Sequence, residues 1–240
     1  MRLIVMLYGI ICYVLFFGTF LYFIAFVGGF YLPRHLSLEV ARTTNSALLI
    51  NIALIFFWGI QHSIMARSWF KNAIEKLVPH HVERSTYVLI SAIVLAIMMY
   101  YWQPMGGIVW QVENTALKSV IWGVFAFGWV LILISTFLTD HFDLFGLRQT
   151  WLYFRKKDYT NVVFTKRWFY HWIRHPMMLG MLLVFWFVPV MTMTHLVFSI
   201  GMSLYVLIGI YFEEHALAKI HGQPYVEYQT ETKKMIPRIY

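Results

Sequence analysis

The residues best suited to chemistry in this sequence are histidines and acids that stand where long apolar stretches end. His62 lies near the end of one stretch, and Asp140, His141 and Asp143 follow the end of another. An imidazole with its usual pKa of about 6.5 can accept a proton near neutral pH, and a neighbouring carboxylate can hold the ring in one tautomer. These four side chains are therefore the candidate catalytic residues.

A second group of ionisable residues frames the last apolar stretch. Arg174, His175 and Pro176 stand at its start, and Glu213 and Glu214 follow its end. Ionisable groups at the ends of membrane helices cost free energy, and they usually either pair with one another or take part in function. This group is the second candidate for a functional site.

Each group also has an ordinary structural explanation. His175-Pro176 can be only the start of a helix, and Glu213-Glu214 can be a solvated helix end. Asp140 can cap a short following helix, and His62 can be a hydrogen-bonded packing residue. The ten histidines form no His-Cys cluster with metal-ligand spacing, so no metal site is predicted.

The elements that must position these residues are membrane helices. Of the 240 residues, 60% are hydrophobic and 12% are charged, which excludes a water-soluble domain. Five stretches without Asp, Glu, Lys or Arg are long enough to cross a bilayer, which takes about 20 apolar residues. They run over 3–33, 43–66, 85–112, 119–139 and 175–212.

The last of these stretches is too long for one crossing. As a single helix it would measure about 57 Å, nearly twice a hydrocarbon core of about 30 Å. Pro189 interrupts it near the middle, so we expect a hairpin of helices over 177–190 and 195–212, followed by a cytoplasmic tail. With helices over 4–31, 46–66, 86–102 and 117–139, the sequence predicts an all-α integral membrane protein. It would have about six transmembrane helices in one domain, 1–240.

Basic residues set the predicted orientation, because Lys and Arg near helix ends stay on the cytoplasmic side. With the N-terminus inside and six crossings, only Arg34, Arg42 and Lys118 of the 19 basic residues lie outside. Both termini are therefore predicted to be cytoplasmic. The excess positive charge suits anionic lipid of the inner leaflet, and no nucleic-acid partner is expected.

This topology predicts that the ionisable groups share one face of the membrane. Helices two and four end on the cytoplasmic side, and the hairpin both begins and ends there. We expect His62, the segment from Asp140 to Asp143, the start at Arg174 and the acids at Glu213 to meet at one depth. The sequence therefore predicts a cavity that opens to the cytoplasm.

The C-terminal residues resemble the signature of isoprenylcysteine carboxyl methyltransferases and related membrane methyltransferases. The resemblance covers about 65 residues, and its residues are Arg174, His175, Pro176, Gly180, Glu213, Glu214, Tyr225, Tyr228 and the tail Ile236-Pro237-Arg238. It implies that these side chains bind S-adenosylmethionine and that 140–240 is the cofactor-binding region.

The same resemblance suggests a role for each of these cofactor-binding residues. The helix start at His175-Pro176 and the guanidinium of Arg174 would take the methionine carboxylate. Glu213 or Glu214 would accept from the ribose hydroxyls or the amino group. Tyr225 or Tyr228 would cover the adenine or contact the sulfonium.

A longer likeness covers most of the chain. The segment Asp140-His141-Phe142-Asp143-Leu144-Phe145-Gly146-Leu147-Arg148-Gln149, with Arg174-His175-Pro176 and Gln61-His62-Ser63, is similar to methanethiol S-methyltransferases. Members of that bacterial family convert methanethiol to dimethyl sulfide. The likeness implies a small volatile thiol as substrate, direct in-line methyl transfer, and a place in the bacterial inner membrane. A histidine would accept the thiol proton.

Two other functions stay open at this point. A membrane methyltransferase of the same architecture can act on a prenylcysteine carboxylate or on a lipid amine. A transporter or scaffold without enzymatic activity would spread its polar groups across the midplane, and the chain shows no internal repeat of the kind found in many transporters. The sequence does not indicate an oligomeric state.

Overall fold

The computed structural model describes residues 1–41, 43–74, 77–160 and 168–236, and helices dominate these ranges. The predicted all-α membrane class is therefore confirmed. The elements in chain order are α1 (Arg2–Gly28), α2 (Ala47–Met65), α3 (Ser68–Ile74), α4 (His80–Tyr101), β1 (Ile108–Gln111), α5 (Thr115–Leu138), α6 (His141–Leu144), α7 (Leu147–Phe154), α8 (Pro176–Trp186), β2 (Val190–Thr192), α9 (Met193–His221) and α10 (Gln223–Glu231), with a 3₁₀ turn at Trp168–His171.

Five helices in the described ranges are long and apolar enough to cross a membrane, and the chain is an integral membrane protein. They are α1, α2, α4, α5 and α9. Helix α8 is also apolar but has only 11 residues. Its rise of about 16 Å is about half of a hydrocarbon core. The predicted total of six crossings and the hairpin with its tail stay predictions.

Helix α8 ends earlier than the predicted boundary at 190. Pro189 has no N–H, and its ring would clash in a helix with the carbonyl of Phe185, four residues earlier. The helix stops at Trp186 instead. The Phe185 carbonyl then accepts from His195 Nε2 at 3.0 Å and from the Ser199 hydroxyl at 2.6 Å.

Two helices extend beyond the apolar stretches that predicted them. Helix α9 continues past 212 to His221 and ends where Gly222 adopts a positive φ of 64°. Helix α4 begins at His80, directly after Pro79, rather than at 86. An apolar pattern indicates only the part of a helix that lies in lipid. It does not predict the polar helical turns that continue beyond the bilayer.

The structure divides into two compact units, and the first comprises residues 1–106 and 140–162. Helix α1 packs against α4 and α7 there, and α2 packs against α4. Gly9 is buried in α1, and a methyl group at this position would collide with the Thr150 side chain of α7. At the N-terminal end of α1, the Arg2 guanidinium lies 5.6 Å from the centre of the Tyr153 ring. Helix α7 therefore packs along the first half of α1.

The second unit comprises residues 107–139 and 163–240, and its main contact joins α5 to α8. A Cβ atom on Gly180 would lie 2.7 Å from the Gly128 carbonyl, and one on Gly128 would lie 2.9 Å from the Gly180 carbonyl. Two glycines thus allow the helix backbones to approach closely, as small residues do in membrane proteins. Strands β1 and β2 form an antiparallel ribbon that was not predicted. The expectation of one domain over 1–240 stays a prediction.

Candidate functional site

The second unit holds a buried ionic cluster between the residues before α8 and the helix α9. Arg174 donates from Nε to Glu214 Oε1 at 2.7 Å, and its Nη2 lies 2.6 Å from the same oxygen. Both side chains are buried, at 6% and 9% exposure. A guanidinium and a carboxylate that leave water together need this close pairing to offset the loss of hydration. Residues 40 positions apart are thus fixed to each other.

The C-terminal tail completes this cluster through its backbone. The N–H groups of Arg174 and His175 donate to the carbonyls of Lys233 and Lys234 at 2.8 and 2.9 Å. Arg174 Nη1 also donates to the carbonyl of Gln229 at 2.9 Å and to that of Thr232. All three guanidinium nitrogens, Nε, Nη1 and Nη2, therefore already contact protein groups. The methionine carboxylate that we expected it to bind would have to compete with these partners.

The two neighbouring acids of α9 differ in their surroundings. His175 Nε2 lies 3.1 Å from Glu214 Oε1, and Lys234 Nζ lies 3.7 Å from Glu214 Oε2. The contact described for Glu213 is longer, 3.7 Å from its Oε2 to His175 Nδ1, and its side chain is 44% exposed. Glu214 is thus the centre of the buried cluster, whereas Glu213 is the acid that a ligand can reach.

Helix α8 begins directly beside this cluster. His175 is its N-cap residue and Pro176 occupies the first turn, and in the described part of the chain no side chain caps this end. The N–H groups of the first turn have no partner within the helix, and they carry the positive end of the helix dipole. An anion bound at this end would be stabilised by them. Gly180, one turn further, packs against Gly128, and its predicted place in a cofactor site stays a prediction.

Tyr225 and Tyr228 lie in the core of the second unit. Their exposures are 2% and 1%, and their ring centres are 5.8 Å apart. The Tyr228 hydroxyl donates to the Tyr170 carbonyl at 2.6 Å. Burial raises the pKa of Tyr228 to about 12, against the opposing charge of Arg174. These rings anchor α10 in this structure, and the predicted contacts with adenine or sulfonium would require them to become accessible.

The first unit holds the four candidate catalytic residues, and Arg148 joins two of them. Its Nη1 donates to Asp143 Oδ1 at 2.9 Å, and its Nε lies 3.8 Å from Asp140 Oδ2. Asp143 Oδ2 also accepts from the Tyr159 hydroxyl at 3.2 Å. Asp140 caps α6 by accepting from the Asp143 N–H at 3.1 Å, which is the structural explanation that the sequence left open.

His141 is buried, and the described hydrogen-bond partner of its ring is a tyrosine of α1. The Tyr13 hydroxyl lies 2.7 Å from His141 Nε2. Burial lowers the pKa of His141, and the negative charge of Asp140 opposes this shift. The ring is therefore neutral at neutral pH. The hydrogen bond described for this ring comes from Tyr13, and the aspartate that would orient the ring stays a prediction.

His62 has a polar environment of its own between α2 and α4. The Tyr87 hydroxyl lies 3.0 Å from Nε2, and the Ser91 hydroxyl lies 3.3 Å from Nδ1. The Trp58 ring stacks on the imidazole at 4.9 Å. Gln61 donates to Ser91 at 3.2 Å. The structure thus brings the four candidate catalytic residues into one unit, but the contacts described for His62 differ from those described for His141.

The structure likewise brings the ionisable cofactor-binding candidates into one unit. The predicted meeting of both groups at one membrane face stays a prediction. Several neighbours were missed by the sequence analysis: Tyr13, Tyr87, Ser91, Arg148, Tyr159, Tyr170, Gln229, Thr232 and Lys234. Only Arg148 had a signal, because it belongs to the segment that carried the family likeness.

Comparison with known proteins identifies the family. A family model described as NnrU protein matches residues 49–238. The chain is 42% identical to a methanethiol S-methyltransferase of Crocosphaera subtropica, over 99% of this chain and 93% of that protein. It is 39% identical to the methanethiol S-methyltransferase of Mycobacterium tuberculosis, over 98% and 97%. Nurim of Xenopus laevis is 29% identical over 82% of this chain and 76% of its own length. No solved structure matches the chain.

The apolar helices define an all-α membrane protein, and its relatives place it in the methyltransferase class. The chain belongs to the NnrU protein family and, with its full-length relatives, to the family of methanethiol S-methyltransferases. The predicted family is confirmed. The protein is an enzyme that transfers a methyl group, and the other class that the sequence left open, a transporter or scaffold, does not fit these relatives.

Proposed function

We propose that this protein methylates methanethiol to dimethyl sulfide with S-adenosylmethionine as the methyl donor. The observation that carries the proposal is the 42% identity over 99% of the chain to a methanethiol S-methyltransferase. Its substrate is a small apolar thiol that partitions into lipid. An enzyme embedded in the bilayer meets such a substrate where it accumulates.

The donor binds, in this proposal, to the second unit. S-adenosylmethionine carries an ammonium and a carboxylate on its methionine end, and it supplies a methyl group activated by the sulfonium sulfur. Glu213 fits the ammonium, because its carboxylate is 44% exposed and lies beside His175. The first turn of α8 fits the carboxylate, because its N–H groups have no side-chain cap.

Arg174 and Glu214 support this site rather than contact the donor. Their short ion pair holds the start of α8 against α9, and the tail is fixed to both through Arg174. Loss of the pair would displace the α8 start from Glu213. The proposal therefore assigns donor contact to Glu213, His175 and the α8 start, and it leaves Tyr225 and Tyr228 in supporting positions.

The thiol must lose its proton to become a good nucleophile, because the thiolate is the reactive form. His141 and His62 are the candidate acceptors of this proton, because a neutral imidazole can accept a proton near neutral pH. Asp140 and Asp143 act through the backbone turn that carries His141. S-adenosylmethionine held as proposed would supply the methyl group that this thiolate accepts.

The test uses the purified protein in lipid nanodiscs with methyl-labelled S-adenosylmethionine and methanethiol. We expect labelled dimethyl sulfide in the headspace and one equivalent of S-adenosylhomocysteine in solution. Label in the lipid fraction, or in an added prenylcysteine, would instead support the alternative substrates. Absence of volatile labelled product at any thiol concentration contradicts the proposal.

The donor site has its own test by equilibrium binding. Glu213→Gln removes the accessible charge, and we expect S-adenosylmethionine to bind about tenfold more weakly or worse, since a charged hydrogen bond contributes about 1.5–3 kcal/mol. Glu227→Gln is the matched control, because this exposed acid lies on α10 and bonds Gln223 only weakly, at 3.4 Å. Equal affinity of both variants would remove Glu213 from the site.

We also propose that the protein lies in the bacterial inner membrane with both termini cytoplasmic. The supporting observation is the distribution of Lys and Arg along the sequence. Single cysteines at Asp158, Glu227 and Glu113, in a Cys12→Ser background, can be labelled from either side of the membrane. The first two should react only from the cytoplasm and the third only from outside. Opposite labelling of 158 and 227 contradicts this topology.

A further inference from the structure

The imidazole of His141 is held by a residue that no motif indicated. Tyr13 lies in α1, 128 positions earlier, and its hydroxyl is 2.7 Å from Nε2 of the buried ring. The two rings meet edge to face, with centres 5.8 Å apart. Phe145 closes another side of the imidazole, 4.8 Å from its centre. The side chain thus has few orientations available.

The backbone that carries His141 is fixed independently of its ring. Asp140 adopts a positive φ of 71° and caps α6. Arg148 then ties the turn together through Asp143, and it also donates to the Thr160 carbonyl at 2.8 Å. Gly146 has a φ of 87° and lies so close to α4 that a Cβ atom would be 2.6 Å from the Ser85 nitrogen. A backbone movement that carried the ring away from α1 would break several of these contacts.

We infer that Tyr13 is a positioning residue for the methyl transfer, because its hydroxyl fixes the orientation and tautomer of the His141 ring. The inference rests on the proposed function, in which His141 is a candidate acceptor of the thiol proton. Tyr13 does not touch the substrate in this role. It acts only through the imidazole.

The chemistry of the pair follows from the nitrogen that Tyr13 contacts. When the phenol oxygen accepts from the Nε2 hydrogen, the basic lone pair of the neutral ring is on Nδ1. The thiol S–H bond then breaks, its proton forms the Nδ1–H bond, and the electron pair stays on sulfur. The resulting imidazolium keeps its Nε2–H···O bond to Tyr13, which stabilises the charged ring. Asp140 on the same turn and Tyr13 from α1 are the ionisable groups described against the ring.

The experiment compares wild type, Tyr13→Phe and His141→Gln in nanodiscs, with dimethyl sulfide formation measured between pH 5 and 8. Without the phenol oxygen the imidazolium is less stable. We therefore expect Tyr13→Phe to lower kcat roughly tenfold, with an unchanged KM for the donor, and to shift the acid limb of the profile to lower pH. His141→Gln should lower kcat by about 100-fold or more. Tyr22→Phe is the control, because this tyrosine lies on the same helix and is exposed.

The outcomes separate the inference from the proposed function. If wild type forms no dimethyl sulfide, the proposed function fails, and the role of the pair fails with it. If wild type and His141→Gln are equally active, the methylation stands and the inference is overturned. The inference is also overturned if His141→Gln is inactive while Tyr13→Phe matches Tyr22→Phe. A Tyr13→Phe protein with lower activity, lower thermal stability and an unmoved acid limb shows a merely structural role and overturns it too.

Discussion

Two regions of this protein use the same kinds of side chain in different surroundings. The second unit pairs Arg174 with Glu214 at 2.6 Å, with side chains 6% and 9% exposed. The first unit pairs Arg148 with Asp143 at 2.9 Å, with side chains 24% and 17% exposed, and Asp140 is 36% exposed. The two pairs have similar distances between their charged atoms, but the side chains of the Arg148–Asp143 pair are more exposed to water.

The difference shows that burial decides what an ion pair does in this fold. A fully buried pair must stay intact, because either charge alone would be stranded away from water. A pair that water reaches can lose one partner at little expense. The Arg174–Glu214 pair is therefore part of the framework of the second unit. The Arg148 network orients a turn that is also held by the Asp140 cap and by the close approach of Gly146 to α4.

The largest expected effect is at the buried pair. Glu214→Gln keeps the shape of the side chain but leaves Arg174 without its counter-charge. We expect the free energy of unfolding to fall by about 3–5 kcal/mol. Chemical unfolding in detergent micelles measures it. Glu213→Gln is the matched control next in sequence, and a similar loss in both variants would contradict the distinction between the two acids.

The next effect concerns the close backbone approaches in each unit. Gly180→Ala places a methyl group 2.7 Å from the Gly128 carbonyl, and Gly146→Ala places one 2.6 Å from the Ser85 nitrogen at a positive φ. We expect each change to lower the free energy of unfolding by about 1–3 kcal/mol, by overpacking or by backbone strain. Thermal unfolding of the two variants in the same detergent gives the comparison.

Two further glycines serve as controls for this prediction. A Cβ atom at Gly123 of α5 or at Gly18 of α1 meets nothing within 4 Å. Alanine at these positions should stabilise the helix slightly or leave its stability unchanged. If all four alanine variants behave alike, helix propensity rather than close packing governs these positions.

A smaller effect is expected at the hydrated network. Arg148→Met removes the bond to Asp143 but leaves both acids able to contact water. We expect a loss of about 0–1 kcal/mol, which shrinks further at high salt. Titration with urea at two salt concentrations measures it. A loss as large as that of Glu214→Gln would mean that exposure does not explain the contrast between the regions.

The smallest effect is the pH dependence that His141 adds to stability. Its folded pKa lies below the unfolded value of about 6.5, so the unfolded chain binds the proton more readily. This contribution is complete above pH of about 6.5 and is lost as the pH falls from there toward the folded pKa. The midpoint of thermal unfolding should therefore decrease between pH 6.5 and 5, less so in His141→Gln. Equal slopes would contradict the buried neutral ring.

The sequence by itself determined the membrane class, the approximate position of the long apolar helices and the identity of the family. These features follow from local composition and from short motifs, which act without knowledge of distant residues. Pro176 at a helix start and Asp140 as a cap were both within reach of such local reasoning. The ordered residues from Arg174 to Tyr228 likewise predicted that these side chains share one region, and all of them lie in the second unit.

Only the tertiary structure decided which partner each polar group has. The pairing of His141 with Tyr13, the capture of the Arg174 backbone by Lys233 and the burial of Tyr228 all join residues far apart in the chain. Apolar helices resemble one another in sequence, so the pattern that places them in lipid does not specify which faces meet. Packing of small residues and satisfaction of buried polar groups select the faces, and both depend on three-dimensional contact.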